Sequence, residues 1–191
     1  NVNATLNYTH YYLRDWVYET FQGFHNGHAN DISLTLALSR NSIDNPIYTR
    51  RGSSFTLSVS ATPPYSLWDG IDYSNINLKS EDRYRFVEYH KWKFSGKVFT
   101  PLMNPVTVKY TPVLMTRLDA GFIGHYTPFK RSPFGTYYMG GDNMSGYVGN
   151  FLNETIPLRG YSNGSIAGGN YDYAYAYMRM MAELRVPILF E

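Results

Sequence analysis

Apolar and polar residues alternate with a period of two along most of this chain, and the alternation falls into six segments. In the first, Val2, Ala4, Leu6, Tyr8 and Tyr12 share one face, and Asn1, Asn3, Thr5, Asn7 and Thr9 share the other. In the second, Ile32, Leu34, Leu36 and Leu38 oppose Asp31, Ser33, Thr35 and Ser39. In the third, Phe55, Leu57, Val59 and Ala61 oppose Ser54, Thr56, Ser58, Ser60 and Thr62. The fourth runs from about Arg83 to Phe99, with Trp92, Phe94 and Val98 opposite Lys91, Lys93, Ser95 and Lys97. The fifth, about Val113 to Tyr126, sets Leu114, Leu118, Ala120 and Phe122 against Arg117 and Asp119. The sixth, about Tyr171 to Phe190, puts Ala174, Ala176, Met178, Met180, Ala182, Leu184 and Val186 on one face. Its other face carries Tyr173, Tyr175, Tyr177, Arg179, Glu183 and Arg185. Side chains of a strand point alternately to its two faces, so each segment predicts a strand with one apolar and one polar side. Nothing has a helical period of convincing length.

The connections alternate in character. Residues 43–52 and the region around Pro101 to Pro105 are compact and turn-forming, whereas 14–30, 63–82 and 127–170 are longer and rich in Gly, Asn, Ser and Pro. Short turns at one end and long loops at the other characterise outer-membrane barrels. Two further details favour a barrel over a soluble β-sandwich, which also alternates. The segments reach or exceed the roughly 9 to 11 residues of a tilted membrane-crossing strand. Aromatics gather near strand ends, as at Tyr11, Tyr12, Trp16, Tyr65, Trp68, Tyr126, Tyr171 and Tyr173, where interfacial belts form.

Composition narrows the classes. The 191 residues are 17% aromatic and 17% charged, with a formal net charge of +2. That charge is too small to argue for nucleic acid. There is no Cys, which removes disulfides and thiolate metal sites. No run approaches the roughly 20 apolar residues of a membrane-spanning helix, while barrel strands hide from hydropathy averages. Six strands leave two open edges, and unpaired backbone groups facing lipid cost several kcal/mol each. Bacterial single-chain barrels have at least eight strands. The expected fold is therefore an all-β, antiparallel transmembrane β-barrel, of which residues 1–191 form a part of about six strands.

Chemistry-bearing motifs of other classes are thin. His25-Asn26-Gly27-His28 offers two imidazoles in a loop without a carboxylate partner, so no metal is expected. There is no His-Glu-x-x-His, no Gly-x-Ser-x-Gly and no Cys nucleophile, so neither a catalytic residue nor a cofactor is expected. Gly140-Gly141 and Gly168-Gly169 lack the strand–loop–helix setting of a phosphate loop and read as turn glycines. Lys91, Lys93 and Lys97 read as a solvated lumen wall. The sequons at Asn3, Asn7, Asn143, Asn153 and Asn163 read as chance in an Asn- and Ser-rich barrel.

Four motifs stand in order within this strand pattern. Ser42 to Ser53 forms an Asp-containing turn that leads into a Thr-Arg-Arg-Gly strand start. Pro133-Phe134-Gly135-Thr136-Tyr137-Tyr138-Met139-Gly140-Gly141 opens the long 127–170 loop, and Leu158-Arg159-Gly160-Tyr161 lies within it. Glu183-Leu184-Arg185-Val186-Pro187 lies in the following strand. Together these resemble the Omp85 family of outer-membrane barrels over most of the chain from about Asn41 onward, and most closely its branch that folds and inserts other barrels. The sequence carries extra residues, Asp142 to Pro157, between the two loop motifs.

The resemblance implies a 16-stranded barrel preceded by periplasmic POTRA domains, with 127–170 as the sixth extracellular loop. It also implies that the loop arginine reaches into the lumen toward acidic groups. The parity of the sixth strand independently puts Glu183 on the lumenal side, so Arg159–Glu183 is the expected ion pair. Gly160 would allow a tight turn behind Arg159 and Tyr161 would supply packing. Pro133, Phe134, Gly140 and Gly141 would position the loop.

The function implied is non-enzymatic: a core component of the machinery that folds and inserts β-barrel proteins into the bacterial outer membrane. Its partners would be unfolded outer-membrane protein clients, periplasmic and lipoprotein accessory subunits, and outer-membrane lipid, with no nucleic acid. A two-partner secretion transporter of the same family, a passive porin and a soluble β-sandwich binding module are the alternatives.

Overall fold

The structure is a computed structural model, and it describes residues 1–16, 24–104, 111–141, 153–162, 164–166 and 174–187. The alternating segments form one six-stranded sheet of β1 (Val2–Leu13), β2 (Gly27–Asn41), β3 (Gly52–Ala61), β4 (His90–Pro101), β5 (Val113–Gly124) and β8 (Ala176–Arg185). The order is β1-β2-β3-β4-β5-β8, every pair antiparallel, so the sheet is a meander. Two three-residue strands, β6 (Tyr137–Met139) and β7 (Glu154–Ile156), pair in parallel within the last long connection. Among the described residues, helix is confined to a four-residue turn, α1 (Ser80–Arg83), and a 3-10 turn at Tyr65–Leu67.

Register extends the sequence parity across the whole sheet. Leu6 faces Leu34, which faces Ala61; Leu38 faces Leu57, which faces Phe94, then Ala120, then Met178. The apolar residues thus form continuous rows on one face. That face is bare: Leu6 is 75% exposed, Leu36 48%, Trp92 47% and Met180 71%. Exposed apolar rows of this kind mark surfaces that meet lipid or another protein.

The opposite, polar face is covered at the end where the long connections lie. Leu13 and Ala29, on the polar parity of β1 and β2, pack with Phe24, Tyr84, Val87 and Phe134 in a buried cluster. Tyr11 stacks on Phe134 with centroids 4.3 Å apart. Ile123, Tyr137 and Ile156 form a second cluster, and Phe99, Val113 and Met115 a third at the turn end. Glu88 and Lys130 are buried as a pair between the 62–89 and 125–136 connections, 3.4 Å apart. Glu88 also accepts hydrogen bonds from the Ser66 amide and hydroxyl, and Lys130 Nζ donates to Tyr73 Oη.

The strand limits differ from expectation in four strands. The fourth strand begins at His90 rather than Arg83, because Tyr84 to Glu88 is drawn into the loop cluster, with Val87 and Glu88 buried there. The second begins at Gly27, shortening the 14–30 loop, and the fifth ends at Gly124 rather than Tyr126. The sixth is ordered as strand from Ala176 to Arg185, while Ala174 leaves the sheet to bond Tyr137 and Val186 lies past its end. Tyr171, Tyr173, Phe190, Pro105, Gly168-Gly169, Asn143 and Asn163 lie outside the described residues.

Candidate functional site: a loop fastened to the polar face

The two loop motifs are joined through their backbones. β6 carries Tyr137 to Met139 of the first motif, and its parallel partner β7 supplies Glu154 to Ile156 just before the second. Gly140 N–H donates to Ile156 O at 3.0 Å, Leu158 N–H to Gly141 O at 2.8 Å, and Gly141 N–H to Tyr161 O at 3.0 Å. Gly140 has φ +125°, and a Cβ there would stand 2.4 Å from Ser162 O, so only glycine permits this approach. Gly160 has φ +88°, which turns the chain between Arg159 and Tyr161. The whole unit is tied to the chain just ahead of β8 by reciprocal bonds between Tyr137 and Ala174, both 2.8 Å.

Three sets of side chains fasten this unit to the sheet. Glu154 Oε2 lies 2.8 Å from Lys91 Nζ and Oε1 2.5 Å from Lys93 Nζ, both on β4, and Lys91 also donates to Gly135 O. Burial pushes the Glu154 carboxyl up, but Lys91 and Lys93 more than offset this and hold it below its ordinary value. Arg179 on β8 donates to Asp119 Oδ2 on β5 from Nη2 (2.6 Å) and Nε (3.1 Å), and from Nη1 to Pro157 O. Asp119 Oδ1 accepts from Ser95, and Arg117 Nε sits 2.7 Å from Oδ2 as an ion pair without hydrogen-bond geometry. Phe134 forms the third attachment, buried in the cluster against Tyr11 and Phe24, and Pro133 before it is fully buried.

The expected Arg159–Glu183 pair is not formed. Arg159 is exposed, as is Tyr161, and among the described residues no ion pair involves Arg159. Glu183 pairs with Arg185 Nε at 2.7 Å, and both are more than 40% exposed. The reason is strand level: the loop is tied at Arg179, and Glu183 lies four residues farther along β8, about 13 Å away. The cationic stripe was also misread, since Lys91 and Lys93 are counterions for the loop carboxylate rather than a solvated wall. Glu154, Asp119 and Arg179 make the docking contacts that the sequence pattern does not single out. The sheet did place Asp119 and Arg179 on polar parities of strands that become neighbours. Glu154 sits in the extra segment between the motifs, where no strand pattern pointed to it.

Among the described residues no group of three or more His, Asp or Glu side chains converges as metal ligands. His25 bonds the Trp16 carbonyl, and His28 stacks with Tyr12 and His10. What the arrangement can do is mechanical: it clamps a loop against one face of a sheet by charge-assisted bonds that water only partly reaches.

The family model of the Omp85 superfamily domain matches residues 1–191. The chain belongs to the Omp85 superfamily. No curated protein and no solved structure matches it. Within this Omp85 domain the two ordered loop motifs are in direct backbone contact, at the end of the sheet where the connections are long.

Proposed function

We propose that this Omp85 domain is part of a 16-stranded, closed β-barrel in the bacterial outer membrane, of the BamA-like branch that folds and inserts other barrel proteins. The observation that carries this reading is the two-sidedness of the sheet: one face is apolar and bare, the other polar and covered by its own loop. A bare apolar face of six long strands suits lipid, and a polar face suits a water-filled lumen. Among the described residues β1 and β8 each have a single bonded neighbour, and lipid demands partners for the other edges, which further strands of the barrel would supply.

In this reading the protein is not an enzyme. It works by holding a wall and a lumenal plug in fixed relation while unfolded outer-membrane clients add strands at a seam elsewhere in the barrel, pairing backbone to backbone. The loop of residues 127–170 would set that relation, and accessory lipoproteins would dock on the periplasmic side.

The test is depletion of the protein in cells that make it, with quantification of folded outer-membrane barrels and of secreted proteins. A broad fall in folded barrels is the expected result. Normal barrel levels with loss of one secreted passenger would move the protein to the secretion branch. Recovery of the protein in the soluble fraction would overturn the membrane reading altogether.

A further inference from the structure

One position on the polar face of β5 has no side chain. Val113, Met115, Arg117, Asp119 and Ile123 share that parity with Gly121, and only Gly121 leaves a gap in the row. Lys93 on β4 and Tyr177 on β8 are its partners in register. The gap is filled by rings: a Cβ on Gly121 would meet Tyr177 Cε1 at 2.4 Å, Tyr137 Oη at 2.5 Å and Tyr137 Cζ at 2.7 Å. Contacts that short are not tolerated, so no side chain fits while Tyr137 keeps its place.

Tyr137 has little freedom to retreat. It is fully buried at 0% exposure, its ring meets Tyr177 edge-on at 4.5 Å, and Lys91 Nζ stands 4.8 Å above its centroid. Its backbone is doubly bonded to Ala174 and paired with Glu154. Among the described residues its buried hydroxyl has no hydrogen-bond partner, and the ring is held by the groups packed around it. Shape holds it. Four residues on, Gly141 O accepts from Leu158 and Gly141 N–H donates to Tyr161 O, so the seat of Tyr137 also fixes the depth of the Arg-Gly-Tyr segment.

We infer that Gly121 is a positioning residue: a notch in the barrel wall that seats Tyr137 and thereby sets how deeply the loop docks. The inference rests on the barrel reading above and names the wall residue that acts on the loop.

These 191 residues contain no cysteine, so a Thr136→Cys substitution, at a site 1% exposed, reports docking through its rate of labelling by a soluble maleimide. Labelling is read on the full-length protein in membranes, with heat-modifiable migration as the check on barrel folding. Gly121→Ala and Tyr137→Ala should each speed labelling about tenfold or more. Gly121→Leu combined with Tyr137→Ala should label more slowly than either single substitution, because the leucine refills the space the ring leaves. Additive loosening in the double variant, or unchanged labelling in either single variant, overturns the notch. If Gly121→Leu fails to fold, the Gly121→Ala and Tyr137→Ala results still decide. Faster labelling with normal client barrels keeps the notch and removes the assembly reading; unchanged labelling removes the notch and leaves that reading intact.

Discussion

Arg179 and Asp119 face each other across the β5–β8 pair, and the one guanidinium holds both the Asp119 carboxylate and the carbonyl of Pro157 in the loop. A planar fork with five donors can serve two acceptors at once, which an ammonium cannot do with the same geometry. Removing Arg179 would leave the largely buried Asp119 with Arg117 as its remaining counterion and would strip the Pro157 carbonyl of its donor. Arg179→Ala should therefore destabilise the domain by about 3 kcal/mol, and Arg179→Lys should recover only a minor part. Urea titration of the folded, heat-modifiable species measures both. Equal stability of the lysine variant and the parent would show that the fork geometry is immaterial.

Glu154 gives the loop a pH dependence of definite sign. Its carboxyl is held below its ordinary value of 4.5 by Lys91 and Lys93, against the upward push of burial. An acid with a lowered folded value adds stability that is fully present above its ordinary value. That stability is lost as pH falls through the lowered one. Docking should thus be constant from neutral pH down to about 5 and loosen only below the ordinary carboxylate range. Glu154→Gln should remove this acid step and weaken docking by about 1 kcal/mol, since a third of the side chain meets solvent. Protease sensitivity of the loop across pH reads both effects, and a transition near pH 6.5 would point to a histidine instead.

The strands, their faces and their antiparallel neighbours were legible because alternation is a local property. Leu34, Leu36 and Leu38 declare their side with no knowledge of partners, and the meander follows from short turns such as Ser42–Ser53. The fourth strand was read too early because Tyr84 and Phe86 alternate with Arg83 and Arg85 as residues of a strand do. The burial of Tyr84 and Val87 comes from a loop cluster with Phe24 and Phe134, a long-range contact that periodicity does not carry. The site was half legible for the same reason. The motifs around Gly140-Gly141 and Arg159 marked the loop, but the level at which it meets the sheet depends on a path through residues 142–157. Glu183 was assigned by parity alone, and parity fixes the face, not the height.

Glu88 and Lys130 join two of the long connections in a place almost closed to water, their side chains 0% and 2% exposed. Burial holds the Lys130 ammonium below the ordinary lysine range, with Glu88 restoring part of it. Either Glu88→Gln or Lys130→Met alone should cost about 3–5 kcal/mol by stranding the other group. The double variant should be close to the parent, because a glutamine oxygen still accepts from Ser66 and no charge remains buried. A double variant whose loss equals the sum of the two single losses would show that the pair is not coupled.

The bare apolar face can be tested against its reverse at the same height. Leu36 sits beside Thr35, which pairs with Thr5 across β1 and β2, so the two faces can be probed at one level of the sheet. Leu36→Arg places a charge on the face assigned to lipid, at a cost of about 2–4 kcal/mol near the midplane. Thr5→Arg places the same group on the polar face and should stay within about 0.5 kcal/mol of the parent. Folding into lipid vesicles followed by denaturant titration separates them. A similar penalty on both faces would remove the distinction between lipid and lumen.

Arg159 poses the sharpest separation between holding the loop and using it. Its guanidinium is exposed, while the neighbouring Pro157 carbonyl and Leu158 amide make the docking bonds to Arg179 and Gly141. Arg159→Ala should accordingly leave the loop as protected from protease as in the parent. Glu183→Ala removes an exposed pair with Arg185 and should cost about 1 kcal/mol or less. If Arg159→Ala nevertheless lowers the yield of folded client barrels, the arginine acts on something outside the docked loop, in a contact made during the work rather than at rest. If it instead releases the loop, the resting contact is with an acidic group that the exposed position of Arg159 does not reveal, and the Arg179 tether is secondary.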